Sequence, residues 1–180
     1  MTDPDANLPE ETMWQGKFVT AKRRGRWEYA SRSRGIRAAA IIAIEDGHVL
    51  LVEQYRVPLG RVCLEIPAGL IGDHEGQEDE DATEAAIREL EEETGYRAER
   101  METIGEFYSS PGMVSEAFTL LRAHGLTKVG PGGGTEGENI TVHRVKLAEL
   151  PQFVAEWRQQ GHGVDVRIAM LMAPGFLGEV

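Results

Sequence analysis

The sequence predicts an α+β fold on a mostly antiparallel or mixed sheet. Three observations carry that prediction. Most of the chain reads as short β-prone runs set between Gly, Pro, Asn and Asp turn signals. One stretch alone, about Asp81 to Thr94, keeps helical spacing over several turns, and Gly95 stops it. The 180 residues contain no internal repeat and no second core-sized apolar set, which suits one domain.

Taken in order, residues 1–13 are acidic, contain proline and read as a disordered lead. Residues 14–35 read as a β-ribbon: Gly16–Ala21 and Arg26–Ser31 are β-like, and Arg23-Arg24-Gly25 between them is turn-prone. Residues 36–180 make the main domain. Ile36–Glu45 and His48–Tyr55 flank Asp46-Gly47, a two-residue hairpin signal. Arg61–Ile66 is another strand, stopped by Pro67. After the helix, strands return at Met101–Tyr108, Ala117–Ala123 and Ile140–Lys146. Residues 130–137, Gly-Pro-Gly-Gly-Gly-Thr-Glu-Gly, cannot hold regular structure. Short helices are expected near Pro151–Gln160 and after Asp165.

The net charge of −11 is unevenly spread. Asp73 to Glu93 holds eleven acids and one base, Arg88; Lys17 to Arg37 holds eight bases and one acid, Glu28. The overall acidity therefore reports one segment rather than a class of partner. The basic stretch reads as the solvated face of the ribbon, with RNA binding as the rival reading, so no nucleic-acid partner is expected. No apolar run approaches the roughly 20 residues a membrane helix needs. Met1 to Glu11 lacks the basic start and apolar middle of a secretory signal, so a cytoplasmic location is the expectation. Cys63, the only cysteine, sits among Val62, Leu64 and Ile66 and reads as a buried, inert thiol.

At 100° per residue, Ala82, Thr83, Ala86, Ile87 and Leu90 form the apolar stripe of the helix. Glu84, Arg88 and Glu91 lie opposite. Glu89 and Glu93 are stacked four apart along the edge of the stripe, with Glu92 adjacent. Like charges at that spacing repel, and a position bordering the core raises the cost. A hard divalent cation such as Mg²⁺ or Mn²⁺ removes both problems, because carboxylate oxygens suit it. Arg88 is placed to bridge Glu84 or Glu92.

Arg88-Glu89-Leu90-Glu91-Glu92-Glu93-Thr94-Gly95-Tyr96 matches the second half of the Nudix box at every defined position. Pro67-Ala68-Gly69-Leu70 resembles the loop where the box begins, and Glu80 sits where the box has its first glutamate. The glycine of that loop is nineteen residues before Arg88 where the box expects fourteen, which implies a five-residue insertion within Gly72–Asp79. The resemblance implies a Nudix fold, a mixed sheet sandwiched between helices with an N-terminal antiparallel β-ribbon. It implies that Glu89, Glu92, Glu93 and the Ala68 carbonyl hold two or three Mg²⁺, with Mn²⁺ as a substitute. The metals would bind a diphosphate, offset its charge and activate a water.

Further residues resemble the ADP-ribose pyrophosphatases of that family. Ser110-Pro111-Gly112 lies past the box at their spacing; a plain turn is the competing reading. Gln54-Tyr55-Arg56 followed by Glu65-Ile66-Pro67-Ala68-Gly69-Leu70 looks like the same group. There Arg56 would contact the phosphates, and Glu65 and Leu70 would lie at the substrate. Gly16-Lys17-Phe18, Trp27-Glu28 and Arg32 resemble their ribbon. Phe18 and Trp27 would stack the adenine and Arg32 would meet the substrate, with core or dimer packing as the alternative and Trp14 as another stacking ring. A loop glutamate would serve as base: Glu138, or alternatively Glu136. The implied protein is a homodimer that hydrolyses ADP-ribose to AMP and ribose 5-phosphate. Another nucleoside diphosphate sugar, such as GDP-mannose, is the nearest alternative substrate. A non-catalytic nucleotide-binding module is the rival of a different class.

Overall fold

The structure is a computed structural model and describes residues 3–33, 36–72 and 81–173. The inserted acidic loop beyond Gly72, Glu80 included, lies outside the described residues. Strands β1 (Glu10–Gln15), β2 (Val19–Arg24) and β3 (Trp27–Arg32) form a separate three-stranded antiparallel ribbon. The expected lead thus ends sooner, and the ribbon has one strand more. The reason is cross-strand charge: Glu10 and Glu11 pair in register with Arg24 and Arg23. Lys22 reaches Glu10 and Arg23 reaches Glu11, each at 2.7 Å. The basic strand needs an acidic neighbour, and such pairs support antiparallel strands.

The main sheet turns on one hairpin. Strands β4 (Arg37–Glu45) and β5 (His48–Arg56) meet only at Ile44–Val49 and Glu45–His48. Asp46 and Gly47 take φ of 49° and 69°, as a two-residue hairpin turn requires. Beyond the turn the strands diverge and recruit different neighbours. On one side β5 pairs antiparallel with β6 (Arg61–Glu65) and with β12 (Thr141–Lys146). On the other, β4 pairs antiparallel with β7 (Ala68–Ile71) and parallel with β10 (Ala117–His124), whose outer neighbour is β9 (Arg100–Tyr108). β13 (Gly163–Val164) adds in parallel to β6. A small pair, β8 (Tyr96–Arg97) with β11 (Thr127–Lys128), lies apart. The stretch after Pro67, expected as loop, is therefore strand β7, held by β4 from Ala40–Ala68 to Arg37–Ile71.

Helices cover both faces. Alternate residues of β4 point opposite ways. Ala39, Ile41 and Ala43 join Leu50, Ile71, Ala85, Ala86 and Leu90 under α1 (Ala82–Thr94). Ala40 and Ile42 join Leu51, Leu64, Val154, Trp157 and Ile168 under α2 (Leu150–Gln159) and α3 (Arg167–Leu171). The sheet is mixed and lies between helices, as expected. Asp81 caps α1, accepting from the Thr83 N–H at 2.8 Å, and Gly95 ends it at φ 71°. The buried stripe is turned from the expected one: Ala85, Ala86, Leu90, Glu93 and Thr94 are buried, and Ile87 is only half-buried. Small alanines let the helix lie close on the sheet, and that rotation carries Glu93 from the border into the interior.

Candidate active site

α1 lays its last turns across β7. Glu93 is 6% exposed, and its Oε2 accepts the Ala68 N–H at 3.0 Å. Glu89 lies directly over Gly69, where a Cβ would overlap its carboxylate. Burial pushes the Glu93 carboxyl up to about 8; the Ala68 N–H and Arg56 oppose the rise, and the charges of Glu89 and Glu138 add to it. A cation beside it would offset the cost of ionising it there.

These residues border a cleft of about 440 Å³, lined also by Arg32, Arg56, Leu70 and Glu138. Seven residues expected at the site therefore meet there: Arg32, Arg56, Ala68, Leu70, Glu89, Glu93 and Glu138. The rest are elsewhere or beneath. Glu65 is buried under Arg56 and accepts its Nε at 2.6 Å and its Nη2 at 2.9 Å. Glu92 leans toward Arg88 (3.5 Å) and borders a separate hollow with Glu84, Ile87 and Glu91. Arg88 meets Glu89 more closely, at 2.8 Å. Among the described residues no three His, Cys, Asp or Glu side chains form a closed metal cluster. The donor set of Glu89, Glu93, Glu138 and the backbone at Ala68 is nonetheless all oxygen and fits a hard divalent ion.

Glu136 is exposed and outside the cleft. The Glu138 carboxylate accepts the Thr135 N–H at 2.6 Å. The glycine-rich loop before it is less free than its composition suggests. Gly134 and Gly133 donate to the carbonyls of Glu92 and Glu93 at 3.0 and 2.8 Å, and Val129 donates to Gly95 at 2.8 Å. Lys128 Nζ covers the Thr94 carbonyl at 2.8 Å. The open carbonyls at the end of α1 are thus closed by the loop, which ties Glu138 to the metal-type helix.

The ribbon residues stand apart. Phe18 is 56% exposed and does not line this cleft. Trp27 borders a second hollow of about 410 Å³ with Pro111 and Gly112. Ser110-Pro111-Gly112 is an exposed turn, closed by Met113 and Val114 N–H groups on the Ser110 carbonyl at 2.9 Å each. The next residues hold β3: Ala30 donates to Met113 O and Ser115 donates to Ala30 O. Ser109, not Ser110, reaches the cleft. Arg32 lines the cleft and is paired with Glu116.

Sequence reasoning gave Gln54 no role beyond its place in the Gln54-Tyr55-Arg56 motif and missed Glu116, Phe118, Asp165 and Arg167, all at the cleft. Asp165 and Arg167 come from the far end of the chain; only their Asp-x-Arg spacing was available as a signal. Cys63 is buried, and burial pushes its thiol up to about 11, in keeping with an inert side chain.

Carboxylates and guanidinium groups thus line one cleft, a donor set that suits phosphate anions beside a hard cation. The chain belongs to the Nudix family: the NUDIX domain matches residues 33–162. It is 41% identical over 123 residues to the methanol dehydrogenase activator of Bacillus methanolicus, covering 67% of this chain and 64% of that protein. It is 43% identical over 91 residues to an ADP-ribose pyrophosphatase of Bacillus subtilis, covering 50% and 46%. A GDP-mannose pyrophosphatase of Cronobacter sakazakii is 33% identical over 171 residues, covering 89% and 81%. The matched region thus spans less than two thirds of the first and second of these relatives. A solved structure described as an ADP compounds hydrolase superposes with a TM-score of 0.67 at 23% identity, covering 92% of this chain and 90% of that one. That likeness concerns the fold.

Proposed function

We propose that this chain hydrolyses the diphosphate bond of ADP-ribose to AMP and ribose 5-phosphate as a homodimer using two or three Mg²⁺, with Mn²⁺ as a substitute. The observation that carries the reading is the shared cleft: Glu89, Glu93, Ala68, Gly69, Arg56 and Glu138 all line one space of about 440 Å³. Glu89, Glu93, the Ala68 carbonyl and, as the box implies, Glu92 would hold the metal. Bound there, Mg²⁺ supplies charge neutralisation for the diphosphate and a lowered pKa for the attacking water. Arg56, braced by Glu65, receives the phosphates. Arg32 and Leu70 border the substrate. Glu138 takes the proton of the attacking water. Phe18 and Trp27 lie off the cleft of their own chain, so their proposed adenine stacking requires a partner's ribbon to deliver them.

A second reading has its own support. The overlap with the GDP-mannose pyrophosphatase covers 89% of this chain, more than that with the ADP-ribose pyrophosphatase. A turnover panel with Mg²⁺ separates the two. ADP-ribose should be hydrolysed with the highest kcat/KM; GDP-mannose turned over far faster would overturn the substrate choice.

A further inference from the structure

Two acids are forced together beside the cleft. β13 runs parallel to β6 with Gly163 opposite Cys63 and Val164 opposite Leu64. Asp165 continues that register next to Glu65, and its N–H donates to the Leu64 carbonyl at 2.9 Å. Two guanidinium groups answer them. Arg167 donates from Nε and Nη2 to Asp165 at 2.7 and 2.9 Å, and from Nη2 to Glu65 at 3.2 Å. Arg56 donates from Nε and Nη2 to Glu65. Arg167 is mostly buried, with 16% of its side chain exposed and its Cζ 5.6 Å from the centre of the Phe118 ring.

We propose that Arg167 is a positioning residue for substrate binding, acting through Glu65 and Asp165 to hold the free edge of the Arg56 guanidinium toward the cleft. This rests on the reading of Arg56 as the diphosphate-binding cation. The geometry gives the reason. Arg56 spends Nε and Nη2 on Glu65, and its Nη1 makes no hydrogen bond among the described residues. That edge is what an anion can take. Asp165 lines the same cleft. Unpaired, it would be a second carboxylate competing for Arg56. Arg167 occupies Asp165 with a two-point fork and braces Glu65 with the same Nη2. A lysine keeps the charge but cannot bridge both carboxylates in one plane.

The test is a double-mutant cycle between Arg56→Lys and Arg167→Lys, read in two ways. The first is steady-state kinetics on whichever diphosphate the wild type hydrolyses best. The second is the affinity for inorganic diphosphate, measured by calorimetry without metal. The second readout stands even if ADP-ribose proves the wrong substrate. Arg167→Lys should raise KM and weaken diphosphate binding about tenfold, the scale of one charge-assisted hydrogen bond. The change in kcat should be much smaller. In the Arg56→Lys background it should add nothing further. Glu65→Gln, which removes the bridge while leaving Arg167 intact, should reproduce the KM change. Additive effects would make Arg167 an independent ligand and overturn the proposal. Unchanged KM and unchanged diphosphate affinity, with only a lower melting temperature, would reduce Arg167 to a structural residue and overturn it equally.

Discussion

The carboxylate of Glu93 accepts the backbone N–H of Ala68 at 3.0 Å, joining the acidic helix to strand β7 inside the protein interior. One contact thus fixes an acidic side chain of the box to the wall of the cleft.

Metal-free stability should depend on that carboxyl. It titrates at about 8 in the fold against 4.5 as its ordinary value. Between those values the folded state holds a proton that the unfolded chain has lost, so this group makes stability fall as pH rises. The melting temperature of the metal-free protein should drop from pH 5 to pH 8. The slope should be shallower in Glu93→Gln, whose amide oxygen still accepts from Ala68. An equal slope in both proteins would contradict the assignment.

Removing the charge should also remove the chemistry. Glu93→Gln is expected to lower kcat at least a hundredfold at saturating Mg²⁺, on the order of loss of a metal ligand. It should also abolish the Mg²⁺-dependent rise in melting temperature expected of the wild type at pH 8. Activity at the wild-type level would sink the metal-site reading.

Gly69 has a spatial reason to be glycine, since any Cβ there meets Glu89. Gly69→Ala should displace that carboxylate and raise the Mg²⁺ concentration for half-maximal activity about tenfold or more. Titration of activity with Mg²⁺ measures this; an unchanged midpoint would mean that Glu89 is not a ligand.

The two loop glutamates should separate cleanly. Glu138→Gln is expected to cost about a hundredfold or more in kcat, the range of general-base removal. Glu136→Gln should be near wild type, because Glu136 lies outside the cleft. Equal losses would mean that the loop closes differently once substrate is bound.

The ribbon leaves Trp14, Phe18 and Trp27 at 61, 56 and 46% exposure. Sedimentation should report twice the chain mass. Trp14→Ser combined with Phe18→Ser should shift it toward the monomer and raise KM. A monomeric wild type would remove the proposed route by which Phe18 and Trp27 reach substrate.

Much of the fold was legible because its signals are local. The Asp46-Gly47 turn, the Gly95 stop and the alternation in β4 and β5 each depend on a few neighbouring residues. Strand β1 was not, because its acids acquire a reason to be extended only beside Lys22, Arg23 and Arg24. Strand β7 was not, because Pro67 ends one strand, and only β4 makes the next four residues a strand. Helical periodicity placed Glu93 at the edge of the apolar stripe. The close approach allowed by Ala85 and Ala86 decided that it is inside.

The acidic helix, its Gly95 stop and the box that assigns the chain to its family could be read from the residues alone, since spacing along one helix needs no distant partner. The tertiary structure alone decided which carboxylates share a cleft. Glu89, Glu93 and Glu138 meet there because the loop closes the end of α1, while Glu92 leans toward Arg88. It also decided that Arg167, 102 residues from Glu65, holds the carboxylate that orients Arg56. Burial and cross-strand register set those relations, and neither is written in the spacing of residues along the chain.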